Sequence, residues 1–208
     1  MTKTEICNIA LSFVQNRSIN NIDNSTEESA IVCRQFFDIA RKFLLQRFDW
    51  EFTIKQVEIE DYEDSEDTKY RYKYELPSDF LKIKKIQNFE LNFNFQNSSA
   101  VNRLYSNLDT AIKEYKVVSN YLYCNIEDVN ILYIADIEDT ELWNINFINI
   151  FTIYLAIQIN SKIGKDDFLN RLMLMYNNAI KENLSQELQK NKERTVLVSN
   201  PFVTCRGR

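Results

Sequence analysis

The apolar residues of this chain change period twice, and those two changes bound the folds open to it. Up to Phe48 they recur at threes and fours, as on one face of a helix. From "FDWEF" at 48–52 onward they alternate, as in strands, and helical spacing returns in "NFINIFTIYLAIQINSKIG" at 146–164. A sequence written in one period does not sit in the other. The pattern therefore predicts an α+β fold. We expect a four-helix bundle built from two N-terminal and two C-terminal helices, with a small, mainly antiparallel β region inserted between the pairs. The expected division is 1–49 with 140–192 for the bundle, 50–139 for the β region, and 193–208 for an extended C-terminal arm.

Within the first helix, expected over 3–16, Ile6, Ile9, Ala10, Phe13 and Val14 share a face. "SINNIDNS" at 18–25 interrupts it, and Ser25 followed by Glu28 has the pattern of a capping box. The second helix runs to about Phe48 on a stripe of Ala30, Cys33, Phe36, Phe37, Ala40, Phe43 and Leu44. Trp50 stands at the corner, and Phe52, Ile54, Val57 and Ile59 belong to the extended segment after it. The acidic run "EIEDYEDSED" at 58–67 lacks the glycine and distal glutamate of a calcium loop, and reads as a solvated hairpin tip. Pro77 ends the strand "YRYKY", while Ser78 and Asp79 offer side-chain acceptors to the turn that follows. "LKIKKI" at 81–86 alternates again, with Lys82, Lys84 and Lys85 on a solvated edge. Shorter β-prone pieces follow at 89–95, 115–118, 121–124 and 129–134.

The last helix repeats Leu169, Leu172, Met173, Tyr176, Ala179, Ile180, Leu184 and Leu188 at threes and fours to about Lys190. The tail beyond it is extended by pattern. Its apolar residues Val196, Leu197, Val198, Phe202 and Val203 call for a surface to bury against.

Composition removes several chemistries. The chain has 208 residues, no histidine, two glycines (Gly164 and Gly207) and a net charge of −5. Without histidine there is no Ser-His or Cys-His nucleophile pair and no His-ligated metal. Two isolated glycines make no phosphate-cradling loop. The acidic balance argues against a surface built to grip nucleic acid. Cys7, Cys33, Cys124 and Cys205 are far apart and form no C-x-x-C pair; Cys7 and Cys33 fall on apolar helix faces and read as small buried hydrophobes, and the protein is expected to be cytoplasmic and reduced. No apolar run approaches the ~20 residues that a membrane helix needs, and the N-terminal stretch lacks the pattern of a secretory signal. The best enzymatic candidate is a metal-dependent nuclease of the Pro-Asp…Glu-x-Lys kind, with Asp79, Glu114 and Lys116 in those roles. Pro77 and Asp79 are not adjacent, however, and E-x-K triplets recur by chance. We expect no catalytic residue, cofactor or metal.

Three stretches carry a resemblance: "EICNIALSFVQNRSINNIDNSTEESAIVCRQFFDIARKFLLQRFDWEF", "YELPSDFLKI" and "VNILYIADIEDTELWNINFINIFTIYLAIQI". Together they resemble the head-to-tail connector (adaptor) proteins of short-tailed phages, the tail tubular protein A family, and are similar to the ring proteins of crAss-like phages. The resemblance spans about residues 4–190, with Trp50 and Phe52 matching the Trp-x-Phe that closes the family's second helix. The chain departs from the family in having no glycine in "QNRSINNI" and in its acidic hairpin. The resemblance implies a non-enzymatic virion protein of the neck, made in the host cytoplasm. It would form a ring of copies of itself, commonly a dodecamer. Its partners would be the portal protein on one side and the tail tube, nozzle or further ring proteins on the other, with double-stranded DNA passing through at ejection and no membrane involved. A tail-completion or stopper ring protein is the neighbouring alternative. On this reading Trp50, Phe52, Pro77 and Asp79 are structural joints, and the apolar residues of the arm are an interface.

Overall fold

In the computed structural model, which describes residues 1–88, 114–163 and 166–198, the first helix begins at a capping box that "TKTE" encodes. The Glu5 N–H donates to Thr2 Oγ1 at 3.2 Å, and Glu5 Oε2 accepts the Thr2 N–H at 2.8 Å. This caps α1 (Lys3–Phe13). The helix stops three residues short of the sequence expectation because the chain turns left-handed at Gln15, with φ 50°. There the Gln15 N–H donates to the Ser12 carbonyl at 3.1 Å and the Asn16 N–H to the Leu11 carbonyl at 3.0 Å, the two bonds of a Schellman ending.

The asparagine-rich connection that follows is held from both sides by side chains. The Asn8 amide pairs with Ile19 as a strand would, donating to its carbonyl at 3.0 Å and accepting its N–H at 2.8 Å. Thr4 Oγ1 accepts the Ile22 N–H at 3.2 Å. Arg34 Nη1 serves the carbonyls of Ile22, Asp23 and Ser25. Ile19 and Ile22 are buried by this arrangement. The capping box expected at Ser25 is replaced by a local turn, in which Ser25 Oγ takes the Glu27 N–H at 3.2 Å. Helix α2 (Glu28–Arg47) starts just after it.

By its contacts the chain divides into two units, Met1–Arg41 with Trp143–Arg208, and Lys42–Leu142. The α+β expectation holds: the described residues form four helices and two antiparallel sheets. In the first unit α3 (Ile145–Ile163) packs against α1 and against α4 (Asp166–Val198). Helix α3 is apolar nearly all round, which places it centrally. Phe147, Phe151, Leu155, Ala156 and Ile159 are fully buried. Trp143 meets the rings of Phe147 and Phe151 at 4.8 and 4.9 Å, and Phe37 of α2 meets Phe151 at 4.9 Å. Even so, no described helix is long and apolar enough to cross a membrane.

Three expectations for the helices need correction. Phe43 is not core: it is exposed on α2, with the Arg47 guanidinium 5.7 Å from its ring. On α4 only part of the expected stripe is covered. Leu172 and Ala179 are buried, and Tyr176 meets the Tyr154 ring at 5.5 Å, while Leu169, Met173 and Leu184 are exposed. The extended arm expected from residue 193 does not begin there, because α4 continues to Val198. Nothing from Lys190 to Val198 breaks a helix, since β-branched residues cost only about 0.5 kcal/mol each relative to alanine. The first strong breaker is Pro201, which also disfavours helix at Asn200.

The second unit holds both sheets. The first is ordered β1-β7-β4, from β1 (Ile54–Ile59), β7 (Val129–Ala135) and β4 (Phe80–Asn88). The second is ordered β2-β3-β6-β5, from β2 (Tyr62–Asp64), β3 (Tyr72–Glu75), β6 (Tyr121–Cys124) and β5 (Lys116–Val118). Strand β7 reads "VNILYIA" without alternation because it is paired on both sides and buried along most of its length. The acidic run is not one hairpin tip. Its first part completes β1, Glu60 and Asp61 carry the chain from one sheet to the other, and only the end forms a turn. That turn is closed by Ser65 N–H to the Arg71 carbonyl at 2.9 Å. The β-prone piece at 89–95 lies outside the described residues.

The Schellman ending makes a direct prediction. Gln15→Gly removes the Cβ penalty of the left-handed conformation and should stabilise the protein by about 0.5–1 kcal/mol, read as a higher urea midpoint at unchanged slope.

Candidate functional site

Helix α2 must satisfy its last carbonyls as the chain turns into the β unit. Trp50 does this for Leu44: its indole Nε1–H donates to that carbonyl at 3.0 Å while the ring is almost wholly buried. Phe48 meets the indole edge-on at 5.7 Å and Phe52 lies 6.3 Å away, tilted. The Trp50 carbonyl in turn accepts both the N–H and the hydroxyl of Thr53, at 3.0 and 2.7 Å, forming the short 3-10 turn Glu51–Thr53 that launches β1.

Pro77 and Asp79 form the second joint. The Leu76 N–H donates to the Asn120 carbonyl at 2.9 Å, and Asn120 Nδ2 donates back to the Leu76 carbonyl at 3.0 Å, which fixes the end of β3 against the β5–β6 turn. Ser119 in that turn takes a left-handed φ of 54°. The Pro77 carbonyl accepts the Phe80 N–H at 3.0 Å, closing the turn into β4. Asp79 then ties the first sheet together. Its Oδ2 is 2.6 Å from Lys55 Nζ of β1, its Oδ1 accepts from the Tyr133 hydroxyl of β7 at 3.0 Å, and its carbonyl accepts the Asp136 N–H at 2.7 Å. Partial burial pushes the Asp79 carboxyl up, but the hydrogen bonds from Lys55 and Tyr133 outweigh it and hold the group below the usual carboxylate range. Burial, helped by that same bond to Asp79, pushes the Tyr133 phenol up to about 12.

The residues of the nuclease reading go to different places. Asp79 lies in the first sheet against Lys55, whereas Glu114 lies beside β5 with Lys69 at 3.4 Å, and Lys116 pairs with Asp67 at 3.3 Å. Among the described residues no group of three or more Cys, Asp or Glu could hold a metal ion. Cys7, Cys33 and Cys124 are buried and free. Interaction with Cys33, together with burial, pushes the Cys7 thiol up, while the same interaction pushes the Cys33 thiol down. Val196, Leu197 and Val198 occupy the last turn of α4, and Phe202, Val203 and Cys205 lie outside the described residues.

Sequence reading missed three participants: Lys55, Tyr133 and Asn120. Each acts across a long sequence separation, so no local pattern flags it. The arrangement defines a histidine-free α+β protein whose prominent polar groups are committed to one another at the joints. No protein-family model matches the chain, and no curated protein matches it.

Asp79 contributes a pH-dependent stability whose sign follows from its lowered pKa. The contribution is full above the unfolded carboxylate range near pH 4 and is lost as pH falls through the lower folded value. Asp79→Asn should therefore destabilise by about 1–2 kcal/mol at neutral pH. Urea titrations at several pH values should show the gap from wild type closing as pH falls below about 4. Trp50→Phe, which keeps the ring but removes the donor, should cost about 1–3 kcal/mol by leaving the Leu44 carbonyl buried without its partner. A change under 0.5 kcal/mol would mean that water replaces the indole.

Proposed function

We propose that this chain is a non-enzymatic structural protein of a phage virion, a head-to-tail connector subunit that forms a ring between portal and tail. The observation that carries the reading is the order of the fold. Two helices, an inserted antiparallel β unit and two further helices follow one another as the resemblance to the tail tubular protein A family implies. In this reading the four helices form a bundle that makes the ring wall. The most distinctive motifs, "DWEF" and "LPSDFL", are joints within the inserted unit rather than sites.

Two further features support it. Large apolar side chains stand exposed on the helices, among them Ile39 and Phe43 of α2 and Met173 and Leu174 of α4, which the reading assigns to contacts with other subunits. The net charge of −5 suits a channel through which DNA must slide, because basic walls would hold its phosphates. Segment 193–208, with Val196, Leu197, Val198, Phe202 and Val203, is the part proposed to reach the portal.

The test is assembly. The purified chain, mixed with portal rings of the same virus, should add a second ring visible by negative-stain microscopy. A chain lacking 195–208 should keep its circular dichroism spectrum and fail to add that ring. No ring with the full chain overturns the connector reading, and a normal ring with the shortened chain overturns the role of the segment.

A further inference from the structure

Among the described residues the first sheet has no strand beyond β1 on one side or β4 on the other. Among the described residues β1 and β4 are its outer strands, each paired only with β7. An outer strand presents unpaired N–H and carbonyl groups, which invite another strand unless charge forbids it. The charges left unpaired along these two strands and the exit of β1 are of opposite sign. Along β4, Lys82 and Lys84 share one carboxylate, Asp49, at 3.4 and 3.6 Å, and the exposed Lys85 makes no ion pair among the described residues. Along β1 and its exit, Glu58, Glu60 and Asp61 are exposed and make no ion pair among the described residues. The single base of β1, Lys55, is already committed to Asp79.

We propose that β4 of one copy pairs edge to edge with β1 of a second copy. Like edges repel: β4 on β4 would set lysines beside lysines, and β1 on β1 would set carboxylates beside carboxylates. Only the unlike pairing brings Lys82, Lys84 and Lys85 beside Glu58, Glu60 and Asp61. The same lysines that guard β4 against indiscriminate strand addition thereby select its partner. Such a contact is heterologous, using a different surface on each copy, and repeated heterologous contacts give rings or filaments. That the product closes into a ring rests on the connector reading; the contact itself does not.

The experiment is zero-length carbodiimide crosslinking of an equal mixture of unlabelled and nitrogen-15-labelled chain, so that links between copies are recognised by mass. Links from Lys82, Lys84 or Lys85 of one copy to Glu58, Glu60 or Asp61 of another are expected. Their yield should fall at least tenfold when salt rises from about 0.05 M to about 1 M, where the screening length is ~3 Å. Two variants reverse one edge each, K82E/K84E/K85E and E58K/E60K/D61K. Each alone should self-associate at least tenfold more weakly in sedimentation velocity, and an equal mixture of the two should recover association. If either variant does not fold by circular dichroism, its glutamine counterpart replaces it and should show an intermediate loss. Absence of intercopy links, wild-type association by either variant alone, or a mixture that stays monomeric overturns the proposal. Recovery in the mixture without portal binding by the wild type would remove the connector reading and leave the contact standing. Portal rings formed normally by each single-edge variant would do the reverse.

Discussion

Pairing of β7 with two strands far from it in sequence is the interaction on which the inserted unit depends. β1 lies some seventy residues earlier and β4 roughly forty-five, so both ladders close long loops before any apolar contact rewards them. What offsets that cost is burial along β7, where Val129, Ile131, Ile134 and Ala135 lose all contact with solvent. Asp79 strengthens the same arrangement from its side, since one carboxylate holds Lys55 of β1 and Tyr133 of β7 while its own residue opens β4. The second sheet has a carboxylate clasp of its own in Glu127, which accepts from Tyr62 of β2 and Tyr72 of β3. Tyrosines do most of the rest, with Tyr62 and Tyr72 meeting edge-on at 4.7 Å and Tyr74 donating to the Ile126 carbonyl at 2.8 Å.

Scarcity of glycine shapes the turns. Gln15, Ser119 and Asp128 take left-handed conformations that glycine would adopt without strain, at about 1–2 kcal/mol each. At Gln15 two backbone bonds hold the conformation, and at Ser119 the clamp between Asn120 and Leu76 does so. Side chains that make backbone-like bonds replace the missing flexibility elsewhere as well: Asn8 at Ile19, Arg34 at three carbonyls, and Trp50 at Leu44. Polar residues that look expendable in sequence are therefore the ones that fix where the chain turns.

That substitution explains what was legible and what was not. The two changes of period show the α+β order, because the spacing of apolar residues is local information. "TKTE" and "STEE" both fit the capping-box pattern, and only the backbone decides between them. Strand partnership was not legible. Nothing in "VEIEDYED" tells a reader that the first half joins one sheet and the second half another, for the answer lies in β7 and β3. The end of α4 differs from the expectation for a related reason: Val196 and Val198 favour strands by propensity, but a helix already nucleated continues through them at small cost. At the joints the anchor residues Trp50, Pro77 and Asp79 stood out in sequence, and their partners did not.

The same distribution bears on where activity resides. A carboxylate set against a lysine and a phenol is held ionised, which is the reverse of the tuning a general acid needs. The paired thiols are pushed in opposite directions, Cys7 up and Cys33 down. In the first sheet the exposed Lys85 of β4 and Glu58 of β1, with Glu60 and Asp61 beyond it, make no ion pair among the described residues. Opposite charge on two edges of one sheet has little use in a solitary chain, where it adds nothing to the core. It acquires a use when one copy meets another, because it then decides which edge meets which.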